Sequence, residues 1–198
     1  MFLVYQSFHQ PVYTTEALPE IDISPDPVQI ANPDTLIPPI YLAGYKYTIL
    51  PQAGYNMSAM VVSTRRYRRG YMSKLSPYDY ATIWGKMPEY LPYIKFDQIV
   101  RFCLFNTKHA ELVDIPYVLT HMTNNHLIPA TPNLRSALSK ARKKDLVIID
   151  GYLVNVVALD KKNNISNWNS SLSRQDTGNG ACEIIYVTRL RLNDRVYE

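Results

Sequence analysis

Apolar and polar positions recur at short spacings along this chain, and the pattern predicts a molecule built mainly of strands. Residues 41–50 (YLAGYKYTIL) and 57–64 (MSAMVVST) each read as a strand, with a turn predicted at residues 51–54 between them. Residues 98–105 (QIVRFCLF) read as a buried strand. Residues 145–159 (DLVIIDGYLVNVVAL) give two β-branched runs around Asp150 and Gly151, a good hairpin dipeptide. A bulge or bend is the competing reading of that glycine. Polar residues 161–167 predict a turn, the stretch around Trp168 leads into a DTGNG loop, and residues 183–192 (EIIYVTRLRL) close as a strand.

Two segments carry the helical period instead. In the first, Ser76 is placed to cap, Pro77 suits the first helical position, and Asp79 falls in the first turn. Tyr80, Ile83, Trp84 and Met87 then follow i, i+3, i+4, i+7, and Pro88 stops the run. The second opens with Thr131 and Pro132, buries Leu134, Ala137, Leu138 and Ala141, and ends in the bases of ARKK. Two short helices among six or seven strands predict an α+β fold: a mainly antiparallel curled sheet or small β-barrel. With no βαβ alternation and no glycine-rich phosphate loop, a Rossmann or P-loop enzyme is not expected.

The region before residue 40 stands apart. Eight of the 14 prolines lie at or before Pro51, which favours extended backbone, so residues 1–40 read as an arm and 41–198 as one β-rich domain. The arm has no lysine or arginine but carries Glu16, Glu20, Asp22, Asp26 and Asp34, leaving 21 bases against 12 acids in the body. An acidic arm ahead of a basic body suggests that it lies across that body or meets a basic partner, with a solvated acidic leader as the equal alternative. Hydrophobic residues at 46% and 16 tyrosines suit a globular, strand-rich chain of 198 residues. Cys103 and Cys182 are too few for a disulfide framework, although one bridge stays open. No run approaches the ~18 apolar residues of a membrane helix, and the start lacks signal-peptide features, so a soluble chain is expected.

Three segments carry candidate chemistry. HMTNNHLIPAT holds His121, Asn124, Asn125 and His126, residues able to act as base and orienter. Their spacing is not that of a helical metal pair, so no metal or cofactor is expected, and a structured turn held by the asparagines is the plainer reading. NWNSSLSRQDTGNGACE places Cys182 just beyond Gly178 and Gly180. A Cys182 thiolate there is a candidate nucleophile, with His126 or His121 as base and Arg189 or Arg191 meeting negative charge. The order His, Cys, Arg is similar to that of sortase-like transpeptidases, but Gly180-Ala181-Cys182 stands in place of their Thr-x-Thr-Cys strand. The plainer alternative is a buried Cys182 and an Arg174–Asp176 pair that pins the loop. The third segment, Arg65, Arg66, Tyr67, Arg68, Arg69, Gly70 and Tyr71, interleaves bases with aromatics as single-strand binders do. Lys140 to Lys144 and Lys161 with Lys162 add to the field, yet a net charge of +4 is modest for a nucleic-acid binder. A solvated strand end, or a dock for the acidic arm, is the plainer reading of the segment.

The blocks LSPYDYATIWGKM, HMTNNHLIPA, DLVIIDGYLVNV and SSLSRQDTGNGACEIIYV resemble those of a bacterial family of uncharacterised proteins. The likeness covers residues 57–189. Members often carry an N-terminal membrane anchor and an exported domain, so it implies a cell-envelope, periplasmic setting and no particular activity. This chain departs by showing no clear anchor. The expected function is a non-catalytic envelope module that binds another envelope protein or a cell-wall component. Arg174, Asp176, Asn125, Arg65, Arg66, Tyr67 and Arg68 are its candidate binding residues. A cysteine-dependent acyl-transfer enzyme and an OB-like binder of single-stranded nucleic acid are the alternatives.

Overall fold

The apolar runs form strands β1 (Val28–Ala31), β2 (Ile40–Leu42), β3 (Tyr45–Arg66), β4 (Tyr78–Ile83), β5 (Ile94–Ile99), β6 (Phe102–Thr107), β7 (Met122–Pro129), β8 (Leu146–Leu159), β9 (Ile165–Trp168), β10 (Glu183–Leu192) and β11 (Arg195–Tyr197) in a computed structural model. It describes residues 10–15, 18–173 and 182–198. Four short helices lie between the strands: α1 (Tyr71–Leu75), α2 (Met87–Tyr90), α3 (Ile115–Thr120) and α4 (Pro132–Leu138). The fold is therefore α+β, with one curled, mostly antiparallel sheet and a separate β5–β6 hairpin. Pairing runs β3–β4–β7–β10–β8 and returns to β3, so the sheet closes on itself, but unevenly. A long β3–β8 ladder forms one side, whereas β7 and β10 meet in a short parallel contact. Among the described residues, no helix is long and apolar enough to cross a membrane.

One face of the closed strands packs the largest apolar cluster, in which Tyr55, Met57, Leu127, Ile149 and Ile185 meet Leu134 and Leu138 of α4. Burying each such side chain contributes roughly 1.5–3 kcal/mol. Helix α4 begins as the pattern predicts: Thr131 caps it, its Oγ1 accepting from Leu134 N at 3.1 Å, with Pro132 in the first turn.

The helix expected after Ser76 is a strand. Both faces of β4 are buried, Tyr80 against the largest cluster and Ala81 and Ile83 against another. A strand covered on both sides shows no alternation, so its apolar residues matched a helical spacing by chance. Ser76 instead ends α1, its backbone N–H donating to Met72 O, and Pro88 opens α2 rather than stopping a helix. The turn expected at residues 51–54 is a bulge inside β3, where the register shifts between Pro51 and Ala53. Proline has no N–H for the ladder, and one irregular residue there is less costly than breaking the long pairing with β8. At Asp150 and Gly151 the strand also continues, pairing with β3 and β10. A Cβ on Gly151 would strike the Tyr186 carbonyl, so this glycine serves close backbone approach, beside a register shift between Val187 and Arg189 of β10.

The run at residues 98–105 is not a single strand but the tip of the β5–β6 hairpin. Ile99 pairs with Phe102, and Val100 (φ 46°) and Arg101 (φ 65°) make the two-residue turn in left-handed geometry. Neither residue is at ease there, and Val100 is 75% exposed. The described part of the acidic segment packs on the body through its backbone. Strand β1 pairs with residues 53–56 of β3, Thr14 bridges Val196, and Gly85 N donates to Ile23 O.

Candidate functional site

Strand alternation sends Asp79, Asn124 and His126 to the sheet face away from the largest apolar cluster. The β4–β7 register sets Asp79 opposite His126 and Ala81 opposite Asn124. His126 Nδ1 lies 3.0 Å from Asp79 Oδ2, and both residues are buried. Asp79 Oδ1 takes Arg101 Nη1 at 2.9 Å, while Arg101 Nη2 donates to Ser76 O at 2.9 Å. The strained hairpin tip thus delivers the cation that compensates a fully buried carboxylate. An unpaired charge there would cost several kcal/mol.

Amides complete the network. Gln98 Nε2 donates to Asn124 Oδ1 at 2.6 Å, and Asn124 Nδ2 donates to Arg101 O at 2.9 Å and Asp79 Oδ2 at 3.3 Å. Two aromatic rings wall the corner. The Arg101 guanidinium lies 4.2 Å from the Tyr67 ring centre and 5.4 Å from that of Trp168, and the His126 and Trp168 rings are 4.7 Å apart. Tyr67 OH accepts from Arg101 N at 3.0 Å. Burial first, then the Asp79 charge, pushes the Tyr67 phenol up against the opposing pull of Arg101.

Cys182 joins the same corner. The parallel register sets Glu183 opposite Asn125 and Ile184 opposite His126, which brings Cys182 level with Asn124 on the His126 face. Its Sγ donates to Arg101 O at 3.6 Å, the acceptor that Asn124 also uses. His126 meets Asp79 through Nδ1, and among the described residues its Nε2 makes no hydrogen bond. Cys103 sits across the hairpin from Gln98, its thiol pushed up to about 12 by burial first and then by the charges of Cys182 and Asp97. Both cysteines carry thiols.

The other candidate residues lie elsewhere. His121, at the opposite end of the β7 segment, stacks on Tyr117 at 3.6 Å with Nε2 3.7 Å from Asp26. Asn125 points into the largest core, donating to Tyr80 O and Thr82 Oγ1. Arg189, about 20 Å along β10 from Glu183 at strand rise, pairs with Asp150 at 3.1 Å and Glu198 at 3.5 Å. Arg191 is buried and donates to Asn193 O and Pro19 O. The sortase-like arrangement of Cys182 with Arg189 or Arg191 is therefore not formed. Arg65 Nη1 donates to Gln98 O, Arg66 lies over Tyr78, and Arg68 is exposed. Arg174 and Asp176, with the rest of their loop up to Ala181, lie outside the described residues.

Asp79, Arg101, Gln98 and Trp168 were not among the candidates. Their only advance signal is a charged residue set inside or beside an apolar run, which Asp79 and Arg101 both show. Among the described residues, no group of His, Cys, Asp and Glu has the arrangement of a metal site. No family model, no curated protein and no solved structure matches the chain.

Proposed function

We propose that this domain is a cysteine-dependent acyl-transfer enzyme with Cys182 as nucleophile, His126 as base and Asp79 as the group that orients the imidazole. One observation carries the reading: His126 is held through Nδ1 by a buried carboxylate, its Nε2 has no partner among the described residues, and Cys182 enters on its face. In the first half-reaction the Cys182 proton passes to Nε2 and the thiolate adds to an ester or amide carbonyl carbon. The leaving group then takes that proton, leaving a thioester on Cys182. Water or an amine attacks the thioester, His126 again accepts a proton, and the thiol is restored. Arg101 is a positioning residue: its guanidinium holds Asp79, and its backbone carbonyl accepts from the Cys182 thiol.

Alkylation of the folded protein with iodoacetamide near neutral pH tests this. Cys182 should react within minutes and slow strongly in H126A, while half-buried Cys103, its thiol pushed up to about 12, reacts far more slowly as an internal control. A Cys182 that remains unmodified until the protein unfolds removes the proposal.

A second reading, a non-catalytic envelope-associated binding or structural module, is favoured by the closure of the corner. Asp79 and His126 are buried, and a surface cleft of about 600 Å³ lies elsewhere, among Tyr13, Lys140, Arg142 and Arg195. Under that reading the polar network only pins the hairpin to the sheet. An inert Cys182 together with a specific envelope partner captured in cross-linking would establish it. OB-like base stacking is disfavoured, since Tyr67 already serves Arg101 through both its face and its hydroxyl.

A further inference from the structure

A second corner of the molecule gathers positive charge that no ion pair among the described residues compensates. The chain leaves β3 at Arg66, passes Arg68, Arg69 and Gly70, forms α1 with Lys74, and returns where Tyr67 N donates to Pro77 O. Arg66 lies over the Tyr78 ring, and Arg135 of α4 reaches the same place, its Nη2 donating to Lys74 O at 2.9 Å. Burial first, and also the nearby Arg66 charge, weakens the hold of Arg135 on its proton, with Tyr78 opposing.

Among the described residues, none of Arg66, Arg68, Arg69, Lys74 and Arg135 makes an ion pair. Two acids of the leading segment are engaged elsewhere. Asp22 accepts from Ser24 N, and Asp26 accepts from Trp84 Nε1 at the far end of β4. Like charges held together on a rigid scaffold repel one another, and an external polyanion relieves that repulsion.

From this we infer that the corner docks on a membrane surface rich in anionic phospholipid headgroups. Phosphate recognition of this kind needs only exposed cations. A single-stranded nucleic acid would also want free aromatic faces. The nearby rings are already engaged: Tyr67 with Arg101, Tyr78 with Arg66, and Tyr71 stacked on Tyr45 at 5.6 Å. Arg68, Arg69 and Gly70 are exposed, and nothing lies within 4 Å of where a Gly70 Cβ would stand, so this tip meets a flat surface unobstructed. The inference does not depend on the acyl-transfer chemistry.

Co-sedimentation of the full chain with phosphatidylserine–phosphatidylcholine vesicles tests it, with pure phosphatidylcholine vesicles and a single-stranded oligonucleotide in parallel arms. Binding to the anionic vesicles alone is expected, and it should weaken between about 50 and 300 mM salt as exposed charges are screened. R68A/R69A should bind about 25-fold more weakly, at about fivefold for each charge removed. Both side chains are exposed, so the fold should survive, which circular dichroism checks. R68K/R69K should bind like the parent, because a headgroup surface reads charge rather than guanidinium geometry. Equal binding to neutral vesicles, unchanged binding of R68A/R69A, loss of binding in R68K/R69K, or tighter binding to the oligonucleotide than to vesicles each overturns the inference.

Discussion

His121 and His126 bracket the first half of β7, and each faces a carboxylate, yet the two corners differ in nearly every physical respect. At the inner corner Asp79 is fully buried, 3.0 Å from His126, and also held by Arg101 and Asn124. At the outer corner the Asp26 side chain is 67% exposed and 3.7 Å from His121, whose ring is fixed by stacking on Tyr117. Water screens the outer pair, and the His121 ring is held by stacking on Tyr117 and by Nδ1 contacts with Tyr117 O and Thr120 Oγ1. The inner pair has lost water and depends on partners with fixed geometry. The inner histidine meets a buried carboxylate, and the Arg101 that also holds this carboxylate comes from a hairpin tip with two residues in left-handed backbone.

Removing one carboxylate at a time breaks the comparison most directly. Asp79→Ala strips Arg101 and His126 of their shared partner and should cost about 3–5 kcal/mol, the usual consequence of breaking a buried pair. Urea denaturation would read this as a large fall in midpoint with little change in slope. A loss below about 1 kcal/mol would mean that the inner corner is as wet as the outer one.

How much of this was legible beforehand is best judged from two segments that begin alike, Ser76-Pro77 and Thr131-Pro132. Both carry a cap residue, a proline and an apolar run, but only the second becomes a helix, because its apolar face has one cluster to meet. After Ser76 the chain is covered on both sides, and pairing with β3 and β7 overrides the local signal. The same override hid the site. As a presumed first-turn acid Asp79 drew no attention, and Val100 and Arg101 contain none of the Gly, Asn or Asp that mark a two-residue hairpin turn. His126 and Cys182 were visible because their residue types are rare and reactive, whereas the network that orients them depends on contacts distant in sequence. Thr131→Ala should cost about 1 kcal/mol by loss of its cap. Ser76→Ala should cost nothing or slightly stabilise, since the Ser76 hydroxyl is buried with no hydrogen-bond partner among the described residues. Paired thermal melts of the two variants check the contrast, and equal losses would contradict it.

The strain invested in the inner corner can be released without touching its charges. Val100 is exposed and β-branched at φ 46°, a conformation that glycine adopts freely. Val100→Gly should therefore stabilise the folded state by about 1 kcal/mol, less the extra freedom glycine gains in the unfolded chain. If the strain also helps to aim Arg101, the same variant should loosen the hairpin tip. Faster amide exchange at Arg101 and Phe102, alongside a raised melting temperature, is the expected pair of results. A lowered melting temperature would show that the tip is not strained in the way its backbone angles indicate.

The smallest effect belongs to the outer corner, and it separates charge from hydrogen bonding there. Asp26 Oδ1 accepts from Trp84 Nε1 at 2.8 Å as well as facing His121, so its two roles can be removed independently. Asp26→Asn keeps an oxygen for the indole N–H and deletes the charge; it should cost only a few tenths of a kcal/mol, as exposed pairs do. That small loss should vanish in about 0.5 M salt, where the screening length is only a few ångström. Asp26→Ala removes the acceptor too and should cost about 1 kcal/mol, largely independent of salt, because the hydrogen bond from the buried Trp84 Nε1 to Asp26 is lost. The Trp84 indole proton resonance reports on both variants: little changed in Asp26→Asn and clearly shifted in Asp26→Ala. A loss in Asp26→Asn that is large and persists in salt would show that the outer pair behaves like the inner one, and the contrast between the two corners would then fail.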